Sequence, residues 1–375
     1  MKMLHLPKLR LIKKLRQLLQ KKLRQHRERV ETKRRFVAVA FYEPNFKLSQ
    51  HQVNEGYNPS RLYVDRIKRS YRLTATAYLV SDKSMWSRID EMRSPVHEAL
   101  LADDDRAFGM LCDPGSTNLL FGLDESFTGD WSAFAAVNDF DKLVRLSEAL
   151  GCRRTYNPEP SNFLEHETLP IAADIDLQVD RICHALGLPA NFTFKSPFLN
   201  TFGIATRRGL LDQRTIQSLY QARRLRQLGG NHVLEIGGGV GRTAYYSLTL
   251  GASSYTIVDL PLTAVVQALF LGAVLGEDHV RLSGEDDVGQ KVHLLSPNSL
   301  PERRFDVTFN CDSLTEMAVD QARPYVEYFK RSAPLLLSIN HEANSFTVSS
   351  LLPSTIHRYP YWLRKGYVEE LFSFG

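Results

Sequence analysis

The chain has 375 residues, of which 43% are hydrophobic and 24% charged. That is an ordinary globular composition, long enough for two or three folding units and for a core that needs neither disulfides nor metals. The net charge of +5 hides an asymmetry: residues 1–35 hold fourteen Lys or Arg against two Glu, so this arm carries +12 and the remainder −7.

The four cysteines, Cys112, Cys152, Cys183 and Cys311, are too widely spaced for a zinc pattern or a disulfide framework, and free thiols suit a reducing cytoplasm. The uncharged run of interest, Leu262 to Gly276, is shorter than the roughly 20 residues of a membrane span and reads as a buried helix. The basic N-terminus lacks the uninterrupted apolar stretch of a secretory signal.

In chain order, the arm comes first. Leu4, Leu11, Leu15, Leu18, Leu19 and Leu23 recur at helical spacing among Lys and Arg, which predicts a basic amphipathic helix over residues 1–35. Four readings stand open: a solvated extension, a helix pairing with a partner, a nucleic-acid contact, and a peripheral anchor on anionic lipid. Residues 36–205 read as a mixed α/β or α-rich accessory domain. Its elements are a strand over 35–41, a helix capped by Ser94 with Pro95 in its first turn, a turn at Asp113–Ser116, and helices ending before Gly151 and Gly187.

Residues 206–375 alternate strand and helix. Asp212 caps a helix that ends at Gly229-Gly230. Strands follow at His232–Ile236, Ser254–Val258, Val280–Leu282, Phe305–Phe309 and Pro334–Ile339. Ile356–Tyr361 and Tyr367–Phe372 remain for a short final edge. Such alternation predicts a mostly parallel sheet with helices on both faces.

The chemistry concentrates at Glu235-Ile-Gly237-Gly238-Gly239-Val-Gly241. Glycines there permit a tight turn and close approach of a ligand to the backbone, and the next helix points its N-terminus at that ligand. A dinucleotide fingerprint would need a glycine where Arg242 stands. Arg242 either meets a ligand carboxylate or is a solvated side chain beside the helix start. Asp259, about 20 residues past the turn, is placed to accept both hydroxyls of a ribose, or else to cap the helix that Pro261 opens. Glu285 and Asp286 lie in a loop after the third strand, and Asn310-Cys311-Asp312-Ser313 follow the fourth. Near the ends of the fourth and fifth strands stand Asp312, Glu316, His341 and Glu342. Transfer of a group to a hydroxyl needs a base, and His341 is the first choice because its ordinary pKa is near neutrality. Glu342 would orient it or bind the substrate. Asp312, His341 and Glu342 together offer a second reading as a Mg²⁺ site, which the histidine makes unusual. Tyr325, Tyr328 and Phe329 read as core, with an acceptor pocket as the alternative.

The spacing Gly237-x-Gly239-x-Gly241 with Glu235 ahead resembles motif I of class I methyltransferases. With Asp259-Leu260-Pro261, Asn310–Met317 and Ser338–Glu342, roughly residues 195–375 resemble the sugar O-methyltransferases of bacterial polysaccharide loci. The resemblance implies a Rossmann-like methyltransferase domain that binds S-adenosylmethionine. It implies that the turn cradles the methionine end, that Glu235 orients it, and that the Glu285 loop flanks the adenine. It also implies a sugar or glycan-precursor hydroxyl as acceptor. Rival readings are a methyltransferase of another small molecule and a non-catalytic binding protein on the same fold. The lack of an Asn-Pro-Pro-Tyr type motif after the fourth strand disfavours amino methylation of nucleic-acid bases. The expected location is cytoplasmic, with the arm resting on the inner face of the membrane where lipid-linked glycans are assembled.

Overall fold

A computed structural model describes residues 20–23, 26, 56–77, 85–102, 105–123, 133–152, 175–352 and 355–375. Of the arm, only residues 20–23 and 26 are described, as exposed helix. The rest of it, and the strand expected over 35–41, lie outside the described residues. Among the described residues no helix is long and apolar enough to cross a membrane.

Before Ile204 every described regular element is helical: α1 (Arg61–Ala75), α2 (Met85–Met92), α3 (Ser94–Leu101), α4 (Arg106–Cys112), α5 (Ala133–Ala149) and α6 (Ile175–Leu186). Ser94 does not cap α3. It is the first helical residue, Arg93 occupies the cap without a side-chain bond, and Pro95 fills the first turn. A small hairpin, β1 (Ile204–Thr206) with β2 (Gly209–Leu211), leads to α7 (Gln213–Gln227). Here the expected cap is present: Asp212 Oδ1 accepts from the Thr215 amide at 2.8 Å.

The remainder runs β3 (His232–Ile236), α8 (Arg242–Thr249), β4 (Ser254–Val258), α9 (Pro261–Leu275), β5 (Val280–Arg281), β6 (Val292–Leu295), β7 (Val307–Cys311), α10 (Val319–Ser332), β8 (Leu335–His341), α11 (Val348–Leu351), β9 (Thr355–Pro360) and β10 (Tyr367–Ser373). Among the described residues eight strands form one sheet in the order β5-β6-β4-β3-β7-β8-β10-β9. The pairs from β5 to β8 are parallel, and β10 runs antiparallel between β8 and β9. This is the mostly parallel sheet that the alternation predicts and the Rossmann-like fold that the resemblance implies. The third strand differs: β6, unforeseen, pairs with β4, and the expected strand at 280–282 is reduced to the two-residue edge β5.

Alternation along the strands splits the core in two. Val233, Tyr255, Ile257 and Phe309 face one cluster, shared with α7, α8, α9 and the N-terminal helices. Leu234, Ile236, Val258 and Leu336 face a second, with Val326 and Phe329 of α10. The accessory helices thus share a core with the sheet. Helix α1 is fastened to α9 and β5: Tyr63 Oη donates to the Ala268 carbonyl at 2.9 Å, and Arg66 pairs with Glu285 at 2.7 Å. Chain order moves outward from β3 through β4 to β6, then returns to β7 and β8. The reversal opens a crevice at the carboxyl edge between β3 and β7, where ligands of open α/β sheets bind.

Candidate functional site

A cavity of about 350 Å³ occupies that crevice. The turn after β3 forms its floor. Gly237 has φ +76° and Gly239 φ +54°, conformations that a side chain would strain. A Cβ on Gly237 would lie 2.3 Å from Ser313 Cβ, whereas one on Gly239 would meet nothing within 4 Å. Gly239 lines the cavity, so a methyl group there would occupy ligand space. Gly238 also lines it, and Gly241 caps α8 in the left-handed region just behind.

Asp259 and Leu260 stand on the wall after β4. Asp259 does not cap α9; Leu260 does. Its Oδ1 accepts from the Leu260 amide at 2.8 Å and its Oδ2 from Gln267 Nε2 at 2.6 Å. Gln267 Nε2 also donates to the Gly239 carbonyl at 3.1 Å, tying the acid to the turn. This fully buried glutamine was legible in sequence only as a polar interruption of an apolar helix. Burial pushes the Asp259 carboxyl up to about 6, against the hydrogen bonds from Leu260, Gln267 and Gly238.

Glu235 lines the cavity beneath the turn at 2% exposure, and its Oε2 accepts from Tyr255 Oη at 3.0 Å. Burial raises this carboxyl to about 8. The consequence has a definite sign. The neutral acid is favoured in the fold, so its contribution to stability is full below about 4.5 and is lost as pH rises through about 8. Glu235→Gln will therefore leave stability unchanged near pH 4 and raise it by on the order of a few kcal/mol at pH 8 to 9. Urea unfolding at both pH values checks this; equal stabilities at pH 9 would contradict it.

Arg242, 7% exposed, reaches the cavity and is not solvated. It pairs with the buried Asp212 at 3.3 Å and its guanidinium lies 5.6 Å from the Phe270 ring centroid. Cys311, Asp312 and Ser313 line the opposite wall. Asp312 has φ +52°, an uncommon conformation for a residue with a side chain. Its carboxylate is held by Arg364 and, at 3.7 Å, by Arg214. Asn310 lies behind the wall, fully buried among Ser313, Ser338 and Asn340. Of the three aromatics on α10, Tyr325 reaches the cavity while Tyr328 and Phe329 pack in the core.

Three expected site residues lie elsewhere. Glu285 is turned onto Arg66 and the Leu282 amide, because its loop follows the edge strand β5; Pro297, after β6, lines the cavity instead. His341 ends β8 away from the cavity wall, its Nδ1 accepting from the Ala343 amide at 3.2 Å and its ring packed edge-on to Tyr367. Glu342 is exposed and paired with Arg358. Asp312, His341 and Glu342 are therefore not gathered, and among the described residues no group of three or more His, Cys, Asp or Glu side chains is placed to hold a metal ion.

Glu316, a candidate from the sequence, and three residues of the accessory segment that the sequence did not point to complete the cavity. Glu316, in a 3-10 turn Leu314–Glu316 after β7, lines the wall. Trp86 of α2, with Gly122 and Leu123, forms a roof from the accessory segment. The indole Nε1 donates to Glu316 Oε2 at 3.3 Å.

No protein-family model matches the chain, and no curated protein matches it. Solved structures similar to it include a SAM dependent methyltransferase from Aquifex aeolicus, at 17% identity over 41% of this chain and 89% of that one, with a TM-score of 0.32. The glycopeptide N-methyltransferase MtfA complexed with sinefungin is 15% identical over 42% of this chain and 86% of that one, with a TM-score of 0.32. The N-terminal domain of EvdMO1 in the presence of SAH and D-fucose is 10% identical over 52% and 96%, with a TM-score of 0.32.

Proposed function

We propose that this chain is an S-adenosylmethionine-dependent O-methyltransferase acting on a hydroxyl of a sugar or glycan precursor. The observation that carries the reading is the meeting, in one cavity, of the Gly237–Gly241 turn and Asp259 with the carboxylates of Asp312 and Glu316 opposite. The residues fit the cofactor. The missing side chain of Gly239 leaves a cradle for its methionine end, the turn's amides and the start of α8 face a carboxylate, and Asp259 presents a carboxylate to a ribose. When bound, S-adenosylmethionine supplies an electrophilic methyl group whose C–S bond breaks with the electron pair left on sulfur.

The chain supplies the rest. It aligns the acceptor oxygen with that carbon, and alignment alone can contribute much of the acceleration. It encloses the reaction beneath Trp86, Gly122 and Leu123. A hydroxyl is a weak nucleophile, so a side chain must also accept its proton. The sugar class rests on the sequence resemblance, with a neutral phenol or other small alcohol as the competing acceptor. Incubation with methyl-labelled S-adenosylmethionine and separate pools of nucleotide sugars and phenols tests it. Label should enter the sugar pool; label in the phenol pool alone would reject the sugar reading.

A further inference from the structure

We propose that Glu316 takes the proton of the acceptor hydroxyl and that Trp86, contributed by the accessory segment, positions it. This rests on the methyltransferase reading above. Two carboxylates face the acceptor end of the cavity. Asp312 is committed to two guanidiniums, Arg364 and Arg214. Among the described residues Glu316 instead receives a single neutral donor, the indole N–H at 3.3 Å, which leaves its other oxygen for a hydroxyl.

Trp86 is itself fixed from behind. The Arg93 guanidinium lies 5.7 Å from its ring centroid, is 0% exposed, and donates to the Phe121 carbonyl at 2.6 Å. Phe121 precedes Gly122 and Leu123, which line the same roof. Among the described residues Arg93 Nε and Nη1 have no hydrogen-bond partner, with Asp90 Oδ1 3.6 Å away. A buried cation so sparsely bonded is costly, and its position between the indole and the roof turn gives it a bracing role. The same charge favours the ionised form of Asp259 across the cavity. The accessory helices therefore supply a working wall of the site.

The groups facing Glu316 are Asp312 at the end of β7, Arg214 on α7, Arg364 before β10, and Trp86. Burial and then Asp312 push its carboxyl up, the indole hydrogen bond and the two arginines draw it down, and the balance is about 7. A base poised there is ionised in about half of the molecules at neutral pH, yet strong enough to accept a proton. In transfer, the hydroxyl oxygen forms the bond to carbon, its proton passes to Glu316 Oε, and the carboxylic acid then releases that proton to water. Removing the indole N–H takes away one of the contributions that hold the pKa down. Trp86→Phe should therefore move the ionisation above 7.

Two measurements on the full chain test this. The first is tryptophan fluorescence followed from pH 5 to 9. Wild type should show a transition near pH 7 that both Trp86→Phe and Glu316→Gln abolish, while Trp131 and Trp362 keep their own signals. Persistence of the full transition in either variant overturns the pairing, whatever the cofactor result. The second is methyl transfer to the nucleotide-sugar pool. Glu316→Gln should lower kcat at least about 100-fold with S-adenosylhomocysteine affinity kept. Trp86→Phe should lose rate at pH 7 and recover it by pH 9, with KM changing less than kcat. An unaltered kcat in Glu316→Gln overturns the base assignment. Absence of transfer by wild type counts against the methyltransferase reading, and the fluorescence pair still decides the contact.

Discussion

Gly237→Ala will destabilise the protein by about 2 to 5 kcal/mol, whereas Gly239→Ala, two residues away, will lose ligand binding with a much smaller stability cost. At Gly237 two penalties add. A side chain at φ +76° costs roughly 1–2 kcal/mol, and its Cβ would sit 2.3 Å from Ser313 Cβ. Ser313 cannot easily give way, because its Oγ donates to the Ile236 carbonyl at 2.5 Å and accepts from Asn310 at 2.7 Å. Overpacking of that kind costs about 1–3 kcal/mol more. At Gly239 only the backbone penalty applies, since a Cβ there meets no protein atom within 4 Å. Its methyl group would stand where the ligand must. Urea unfolding paired with calorimetry separates the two; equal destabilisation by both would contradict this account of the turn.

Asp259→Ala will weaken binding of S-adenosylhomocysteine by at least about 100-fold. Hydrogen bonds to a charged group are worth about 1.5–3 kcal/mol each, and the carboxylate is offered two ribose hydroxyls. Part of the loss is indirect: Gln267 Nε2, now bridging Asp259 and the Gly239 carbonyl, would keep only the second partner. The acceptor must be the ionised acid, and its carboxyl ionises at about 6. Wild-type affinity should therefore hold above pH 6 and fall about tenfold by pH 5. Asp259→Asn should lose affinity without that pH dependence. Titrations at pH 5 and 7.5 check both; a flat profile in the wild type would remove Asp259 from the ribose.

Strand β3, the glycine turn, β4 and the Asp212 cap were legible because each is specified locally. A buried five-residue run, glycines at forced turns and a side-chain cap all announce themselves within a few residues. Strand β6 was missed since three apolar residues interrupted by His293, between polar loops, do not stand out from a core turn. Helix α1 was missed because its buried stripe, Tyr63, Val64, Ile67 and Tyr71, is diluted by arginines, of which Arg66 bonds to β5 and its flanks. At the site, the glycine turn, Asp259 and the Cys311–Ser313 wall of the cavity follow chain order and could be read, whereas Glu285 is turned onto Arg66. The proposed proton acceptor, Glu316, stood among the candidates, but its spacing did not rank it above His341. His341 recommends itself by its free pKa, but β8 ends with that ring against Tyr367. Glu316 has an unremarkable pKa in isolation and acquires its character from burial, from Asp312 and from an indole 230 residues away.

Calorimetric titration of the full chain with S-adenosylhomocysteine at pH 7.5 tests the central claim most directly. The predicted result is one-to-one binding with micromolar affinity, weakened in Asp259→Ala and lost in Gly239→Ala, and unaffected by Glu316→Gln. No heat of binding at millimolar ligand, or equal affinity in all four proteins, would contradict it.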